Sequence, residues 1–284
     1  MKVFRYKKEL KNHIKSLNNQ GKSIGFVPTM GALHQGHLAL VKNSLKDNDV
    51  TVVSIFVNPT QFDNPDDLKK YPRNFEADLA LLQDLSPEIL VFYPDAQDFY
   101  DGKIQSEHFD FDGLEQEMEG KHRPGHFDGV GTVVKKLFEI VQPVRAYFGE
   151  KDFQQLQIIK KLVKKEQMPI EIIPIPIYRE PDGLAMSSRN RRLTPKHRAA
   201  APFIYQVLKQ SKVLFEKEHL ETVKSFVKET IDAHPYLNLE YFEIADEQTL
   251  KPATKKIAGN KYRGFIVVFA GEIRLIDNIS LVTS

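Results

Sequence analysis

The sequence contains no cysteine, which removes disulfides, thiolate nucleophiles and cysteine-based zinc sites together. It also lacks a strong excess of one charge. Lysine and arginine number 40 against 38 aspartate and glutamate residues, a net charge of +2, too little for the basic field that dominates non-specific nucleic-acid binding. No segment approaches the length and apolarity of a membrane span, and the stretch from Met1 to Leu10 has no apolar core of signal-peptide length. Internal repeats and low-complexity tracts are also missing. What is present is an ordinary globular composition, 41% hydrophobic and 27% charged over 284 residues, enough for two domains at about 150 residues each. The expectation is a cytoplasmic enzyme or binding protein that engages neither nucleic acid nor membrane.

Short apolar runs rich in β-branched or aromatic residues lie at Ile24 to Val27, Val50 to Val57, Ile89 to Phe92, Ala146 to Phe148 and Ile170 to Ile173, and read as strands. Between them, Leu38 to Lys46, Phe75 to Leu85, Gly129 to Val141 and Phe153 to Glu166 carry apolar residues at helical spacing, as in Leu79, Leu82 and Leu85. Apolar strands alternating with amphipathic helices predict an α/β domain with a doubly wound, parallel, Rossmann-like sheet. Pro174-Ile175-Pro176 marks a change of character. Beyond it the pattern predicts a loop from Arg179 to Arg192, one helix entered through Thr194-Pro195 and running toward Glu216, and another from about Glu221 to Ala233. Strand-like runs follow at Leu239 to Ile244, Gly264 to Ala270 and Glu272 to Leu275. The predicted division is residues 1–176 and a smaller C-terminal α+β domain, residues 177–284.

In doubly wound sheets ligands bind outside the carboxyl ends of the strands, and the polar motifs of this chain follow strands. Pro28-Thr29-Met30-Gly31-Ala32-Leu33-His34-Gln35-Gly36-His37 sits where a strand hands over to a helix. Helix N-terminal N–H groups, close backbone approach at glycine and two imidazoles suit an anion such as a nucleotide phosphate chain. The competing reading is a plain loop with two surface histidines. Gly149-Glu150-Lys151-Asp152 is either a charged turn with Asp152 as N-cap or a lysine for β- and γ-phosphates, and both readings can hold together. Asp182-Gly183-Leu184-Ala185-Met186-Ser187-Ser188-Arg189-Asn190 joins a turn to hydroxyls and a guanidinium, whereas Arg191, Arg192 and Lys196 to Arg198 read as a solvated helix surface. Asn58, Gln61 and Gln155 offer neutral amides for a hydroxylated carboxylate substrate whose apolar part Met30 and Phe62 could pack; turn capping is their alternative role. Lys121 to Phe127 is a basic loop, a lid or a turn.

Taken together these blocks resemble the pantoate–β-alanine ligase (pantothenate synthetase) family of the HxGH nucleotidyltransferase superfamily. Beside Pro28 to His37 stand Phe56 to Phe62, Tyr71-Pro72-Arg73, Arg123 to Phe127, Phe148 to Gln155, Asp182 to Asn190 and Arg274-Leu275-Ile276-Asp277-Asn278, in family order. The resemblance implies ATP-dependent condensation of pantoate with β-alanine through a pantoyl adenylate, releasing AMP and diphosphate. It implies an ATP site formed by Met30, Gly31, Ala32, Leu33, His34, Gln35, Gly36, His37, Gly149, Glu150, Lys151, Asp152, Tyr178, Met186, Ser187, Ser188 and Arg189. Within it His34, His37 and Lys151 would be catalytic, stabilising charge on the phosphates, with His37 as proton donor. Gln61 and Gln155, with Met30, Asn58 and Phe62, would hold the organic substrates. Mg2+ would bridge the ATP phosphates, with Asp78 as a candidate contact, and a homodimer is implied. Gln35 departs from the acidic residue common inside this motif, and Tyr178 from smaller apolar residues. The Met-Ser-Ser-Arg loop lacks the lysine of a related synthetase signature, a charge that Lys151 would supply. The rival readings are an adenylyltransferase acting on a phosphorylated acceptor and a nucleotide- or RNA-binding module without turnover.

Overall fold

The computed structural model describes residues 1–62 and 65–281; the last three residues of the expected second domain, 282–284, lie outside that range. The chain forms two compact units, one comprising residues 1–150 and 154–176, the other residues 151–153 and the chain from Ile177 onward.

The first unit is built on six strands: β1 (Lys2–Phe4), β2 (Ile24–Thr29), β3 (Val50–Ile55), β4 (Leu90–Phe92), β5 (Arg145–Gly149) and β6 (Glu171–Ile175). They form one sheet in the order β1-β4-β3-β2-β5-β6, with every pairing parallel. β2 lies against β3 with Ile24 opposite Val50 and Thr29 opposite Ile55. Successive side chains on a strand face opposite sides, and β2 shows what covers each side. Val27 joins the cluster containing Leu38, Leu40 and Val41 of the helix Gln35–Asp47. Phe26 meets Phe138 of the helix His126–Val141 edge to face, with ring centroids 6.2 Å apart. With apolar layers on both faces, the strands carry near-continuous apolar runs.

The chain moves outward from β2 to β3 and β4, then returns to the other side of β2 with β5 and β6. The strand order therefore reverses between β2 and β5, where open α/β sheets bind ligands. β1 and the helix Lys7–Asn19 have no counterpart in the sequence expectations, because β1 has three residues and only Leu10 and Ile14 of the helix are buried. Two helices begin earlier than expected, at Gln35 rather than Leu38 and at His126 rather than Gly129. Their polar or glycine-rich first turns carry no apolar periodicity.

In the second unit, the single helix expected from Thr194 toward Glu216 is two, Pro195–Ala200 and Phe203–Lys217. Pro202 stands at the break and has no N–H to donate to a continuous helix. The helix Leu220–Asp232 follows. β7 (Asn238–Asp246), β8 (Tyr262–Ala270) and β9 (Ile273–Ser280) form an antiparallel sheet in that order. Ala201, Val207, Leu208, Val223, Val227, Ile231, Ile244 and Val268 fill the core between helices and sheet with no exposed surface.

Candidate active site

The hydroxyl of Thr29, at the end of β2, donates to the Ser54 carbonyl at 2.7 Å and accepts the Gly31 N–H at 3.2 Å. The chain then turns sharply, with φ +80° at Gly31 and +50° at Ala32. Glycine is required at the first of these: a side chain there would be strained, and its Cβ would lie 2.9 Å from the Asp78 carboxylate. Asp78 comes from the first turn of the helix Phe75–Leu85 and is 3% exposed. Its two oxygens accept the N–H groups of Ala32 at 2.9 Å and Leu33 at 2.7 Å. Two donors of the motif thus converge on an anion, and the anion is a side chain of the protein.

His34 is the N-cap of the helix Gln35–Asp47, with extended backbone. Its N–H donates to Nδ1 of His37 at 3.3 Å. A backbone N–H can only donate, so Nδ1 accepts and a neutral His37 carries its proton on Nε2. The two rings lie 4.0 Å apart at 32°. Spacing of three residues across the first turn brings them face to face. Gln35 is exposed at the first helical position and Gly36 follows it.

A second cluster follows β3. Asn58, 1% exposed, caps the tight turn Pro59–Gln61. Its amide donates to Gln61 Oε1 and to the Gly129 carbonyl, both at 3.1 Å. Its oxygen accepts from the Thr60 N–H at 3.3 Å, the Thr60 hydroxyl at 3.0 Å and the Tyr100 hydroxyl at 2.6 Å. Asn58 is therefore engaged within the protein at both ends of its amide; it stands behind Gln61 and sets that side chain's orientation. Gln61 in turn donates to Met30 Sδ at 3.1 Å, joining this cluster to the end of β2. The Gln61 carbonyl faces His126 Nδ1 at 2.8 Å and the Arg123 guanidinium at 3.4 Å. Burial pushes the Tyr100 phenol up to about 12, so it remains the donor to Asn58 throughout the ordinary pH range. Gly129 allows the close approach here, since a Cβ would lie 2.3 Å from the Thr60 carbonyl oxygen.

Phe62 stacks edge-on against Tyr71 with centroids 5.7 Å apart. Gln155 is half-buried in the first turn of the helix Phe153–Lys165, and among the described residues no hydrogen bond joins it to Gln61. Its neighbour Gln154 is instead buried, binding the carbonyls of Leu114 and Glu117 and the N–H of Glu119. A cavity of about 350 Å³ opens at the carboxyl ends of β2, β3 and β4, lined by Met30, Gly31, Val57, Arg73 and Asp78 among others. Asn58, Tyr100 and His126 form a supporting shell, in which Asn58 takes the turn-capping role that was its alternative reading. The Asn-Pro turn signal pointed to the first, but nothing local linked Tyr100 or His126 to it.

The remaining predicted residues are distributed as follows. Gly149 ends β5 and Glu150 begins a short turn. Lys151 and Asp152 cluster with the second unit, their side chains 3.8 Å apart. There Tyr178 is exposed, and its carbonyl accepts the Met186 N–H at 3.0 Å. Arg179 bridges back to Ala185, closing a loop in which Ser187 caps the short turn Ser188–Arg192 and accepts from the Arg189 N–H. Ser188 is buried and Arg189 half-buried.

Among the described residues, no group of three or more histidine or acidic side chains is arranged to hold a metal. Both Asp78 oxygens meet backbone N–H groups, which places that carboxylate as a brace for the Gly31 to His34 turn.

The family model for pantoate–β-alanine ligase matches residues 2–280. The chain belongs to the pantoate–β-alanine ligase family. It is 56% identical to pantothenate synthetase of Christiangramia forsetii over 281 residues, covering 99% of each chain. The corresponding enzyme of Flavobacterium psychrophilum is 55% identical over 281 residues, covering 99% of this chain and 100% of that one. Among solved structures, pantothenate synthetase from Thermus thermophilus superposes with a TM-score of 0.90 at 38% identity, covering 100% of both chains. Pantoate–β-alanine ligase from Francisella tularensis, complexed with β-γ ATP and β-alanine, gives a TM-score of 0.81 at 38% identity, covering 100% of this chain and 99% of that one. Membership in this ligase family makes the chain an enzyme of pantothenate biosynthesis with a Rossmann-like first unit. No helix among the described residues is long and apolar enough to cross a membrane.

Proposed function

We propose that this chain condenses (R)-pantoate with β-alanine in two steps at the carboxyl ends of β2, β3 and β5. In the first, a pantoate carboxylate oxygen attacks the α-phosphorus of ATP and diphosphate leaves. In the second, the β-alanine amine attacks the acyl carbon of the pantoyl adenylate, giving pantothenate and AMP. A carboxylate is a poor acyl donor until one oxygen belongs to a good leaving group, and adenylation supplies that. Chemistry of this kind depends on positioning and charge neutralisation more than on a covalent nucleophile. ATP and β-alanine are the ligands named for the Francisella relative.

The observation that carries this reading is the His34/His37 pair at the N-terminus of the helix Gln35–Asp47, with His37 Nδ1 accepting the His34 N–H, which in the neutral imidazole leaves the proton on Nε2. An imidazole whose Nδ1 is held by the backbone presents Nε2–H as a donor for charge growing on phosphoryl oxygens, and a helix N-terminus favours that charge. Gln61, oriented by Asn58 and seated on Met30, offers a neutral amide suited to the hydroxyl and carboxylate of pantoate; Gln155 and Phe62 complete the organic site. Lys151, Ser187, Ser188 and Arg189 supply donors for the β- and γ-phosphates, and Gly149, Asp152, Tyr178 and Met186 serve the adenosine. Mg2+ would be carried mainly by the ATP phosphates, since Mg2+ commonly binds through substrate phosphates and few protein ligands. Division at residue 176 into a nucleotide- and pantoate-binding domain and a C-terminal lid domain, a homodimer and a cytoplasmic location belong to the same reading.

The test is a three-substrate assay. Sustained AMP and diphosphate release is expected only with pantoate, β-alanine and Mg-ATP together, and one turnover of diphosphate release without the amine. A product retaining the adenylyl group, with no AMP released, would instead favour transfer to a phosphorylated acceptor.

A further inference from the structure

Arg274-Leu275-Ile276-Asp277-Asn278 has so far received no role in the chemistry. Asp277 and Asn278 lie on β9 and are 6% and 2% exposed. Buried polar side chains at this depth must be paired, and the pairs they make lead to the two segments of the second unit proposed above to meet the phosphates. Asn278 Nδ2 donates to the Lys151 carbonyl at 2.9 Å, while its Oδ1 accepts from Arg263 Nη1 at 2.6 Å. A guanidinium only donates, so the amide has one orientation: its N–H faces Lys151. Arg263 is itself held by Glu247 at 2.9 Å, and its guanidinium lies 3.9 Å from the centre of the Phe153 ring. The segment Lys151–Phe153 is thereby fastened at both ends.

Asp277 takes the other direction. Arg179 binds its carboxylate through both terminal nitrogens, at 2.6 and 3.0 Å, and also donates to the Gly183 carbonyl at 3.2 Å. Arg179 lies at the root of the loop that carries Ser187, Ser188 and Arg189, and its guanidinium stacks 3.6 Å from the centre of the Tyr205 ring. The Asn278 N–H closes the circuit by donating to Asp277 Oδ1 at 2.8 Å. One dipeptide thus ties the Lys151 segment and the root of the Ser187–Arg189 loop to the same strand.

We propose that Asp277-Asn278 is a positioning pair for the ATP triphosphate, with Asn278 fixing the backbone from which Lys151 extends. This rests on the phosphate role assigned to Lys151 above. Fixing the backbone at the root of a long, flexible side chain reduces the freedom lost when its ammonium meets a ligand. Asn278 contacts no reacting atom in this scheme and acts through Lys151.

The decisive variant is Asn278→Asp, which keeps the shape and the oxygen that faces Arg263 but replaces the donor with an oxygen facing the Lys151 carbonyl. Its KM for ATP is expected to rise about tenfold or more, with the KM for β-alanine within about twofold, the pattern of a lost ATP-specific interaction. Asn278→Ser, too short to reach Lys151 and without added charge, should show the same split if the first variant folds poorly. In a Lys151→Ala background either substitution should add less than about a twofold further loss, since residues acting through one another are not additive. An unchanged ATP KM in both variants, or an equal loss with and without Lys151, overturns the inference while leaving the reaction assignment standing. A Lys151→Ala enzyme with normal ATP dependence overturns both the phosphate role of Lys151 and the inference built on it.

Discussion

Replacing Asp78 with asparagine separates a brace from a metal ligand. The carboxylate is 3% exposed and accepts the Ala32 and Leu33 N–H groups at 2.9 and 2.7 Å. Asparagine has the same shape but one acceptor, so one N–H is left opposite an NH₂ group. A hydrogen bond to a charged acceptor contributes about 1.5–3 kcal/mol, and a buried donor left unpaired costs about 1–3 kcal/mol. These two figures overlap in what they describe, so the destabilisation should fall at about 2–4 kcal/mol in urea unfolding. The turn at Gly31 and Ala32, with φ values of +80° and +50°, loses its anchor, and kcat should fall about tenfold or more because that turn leads directly to His34. The concentration of Mg2+ giving half-maximal rate should stay within about twofold of wild type, because a backbone brace has no differential interaction with the ion. A stable Asp78→Asn enzyme with normal kcat, or one restored to full activity by excess Mg2+, would refute the brace.

Two further substitutions probe the shell behind Gln61. Tyr100→Phe removes the 2.6 Å bond to Asn58 and should cost about 1–2 kcal/mol of stability, with a several-fold rise in the pantoate KM. The phenol's value is raised from 10.0 to about 12. Its contribution to stability is thus complete below pH 10 and declines as pH climbs toward 12, and an absorbance titration of the variant should lose a tyrosine that ionises well above the ordinary value. Gly129→Ala places a Cβ 2.3 Å from the Thr60 carbonyl oxygen, which forces the Pro59–Gln61 turn from the helix His126–Val141. Calorimetry should show a loss of about 1–3 kcal/mol, together with a raised pantoate KM.

The alternating strands and helices of the first unit, and the rim at the strand carboxyl ends, were legible because apolar strand runs and helical spacing are local signals, whereas the strand order and its reversal between β2 and β5 came only with the structure. The glycine at position 31 and the paired imidazoles are likewise local. Three things were not visible. Pro202 divides the helix expected to run through it, a point at which apolar periodicity on both sides outweighed a single proline. Asp78 was placed at the site by resemblance, but its bonds to Ala32 and Leu33 span 46 and 45 residues, and no local pattern announces them. The tethers from Asn278 to Lys151 and from Asp277 to Arg179 span 127 and 98 residues. Such long-range pairs arise from packing of strands and loops already formed, which is why a motif at β9 can match a family pattern without revealing its task.

The route through a pantoyl adenylate is tested most directly by following oxygen. Pantoate labelled with oxygen-18 in its carboxylate is turned over with ATP and β-alanine, and the AMP formed is examined by mass spectrometry. Attack of the carboxylate on the α-phosphorus leaves one carboxylate oxygen on that phosphorus when the amide forms, so AMP should carry one oxygen-18 per turnover. Unlabelled AMP, with the label found in diphosphate or inorganic phosphate, would contradict it.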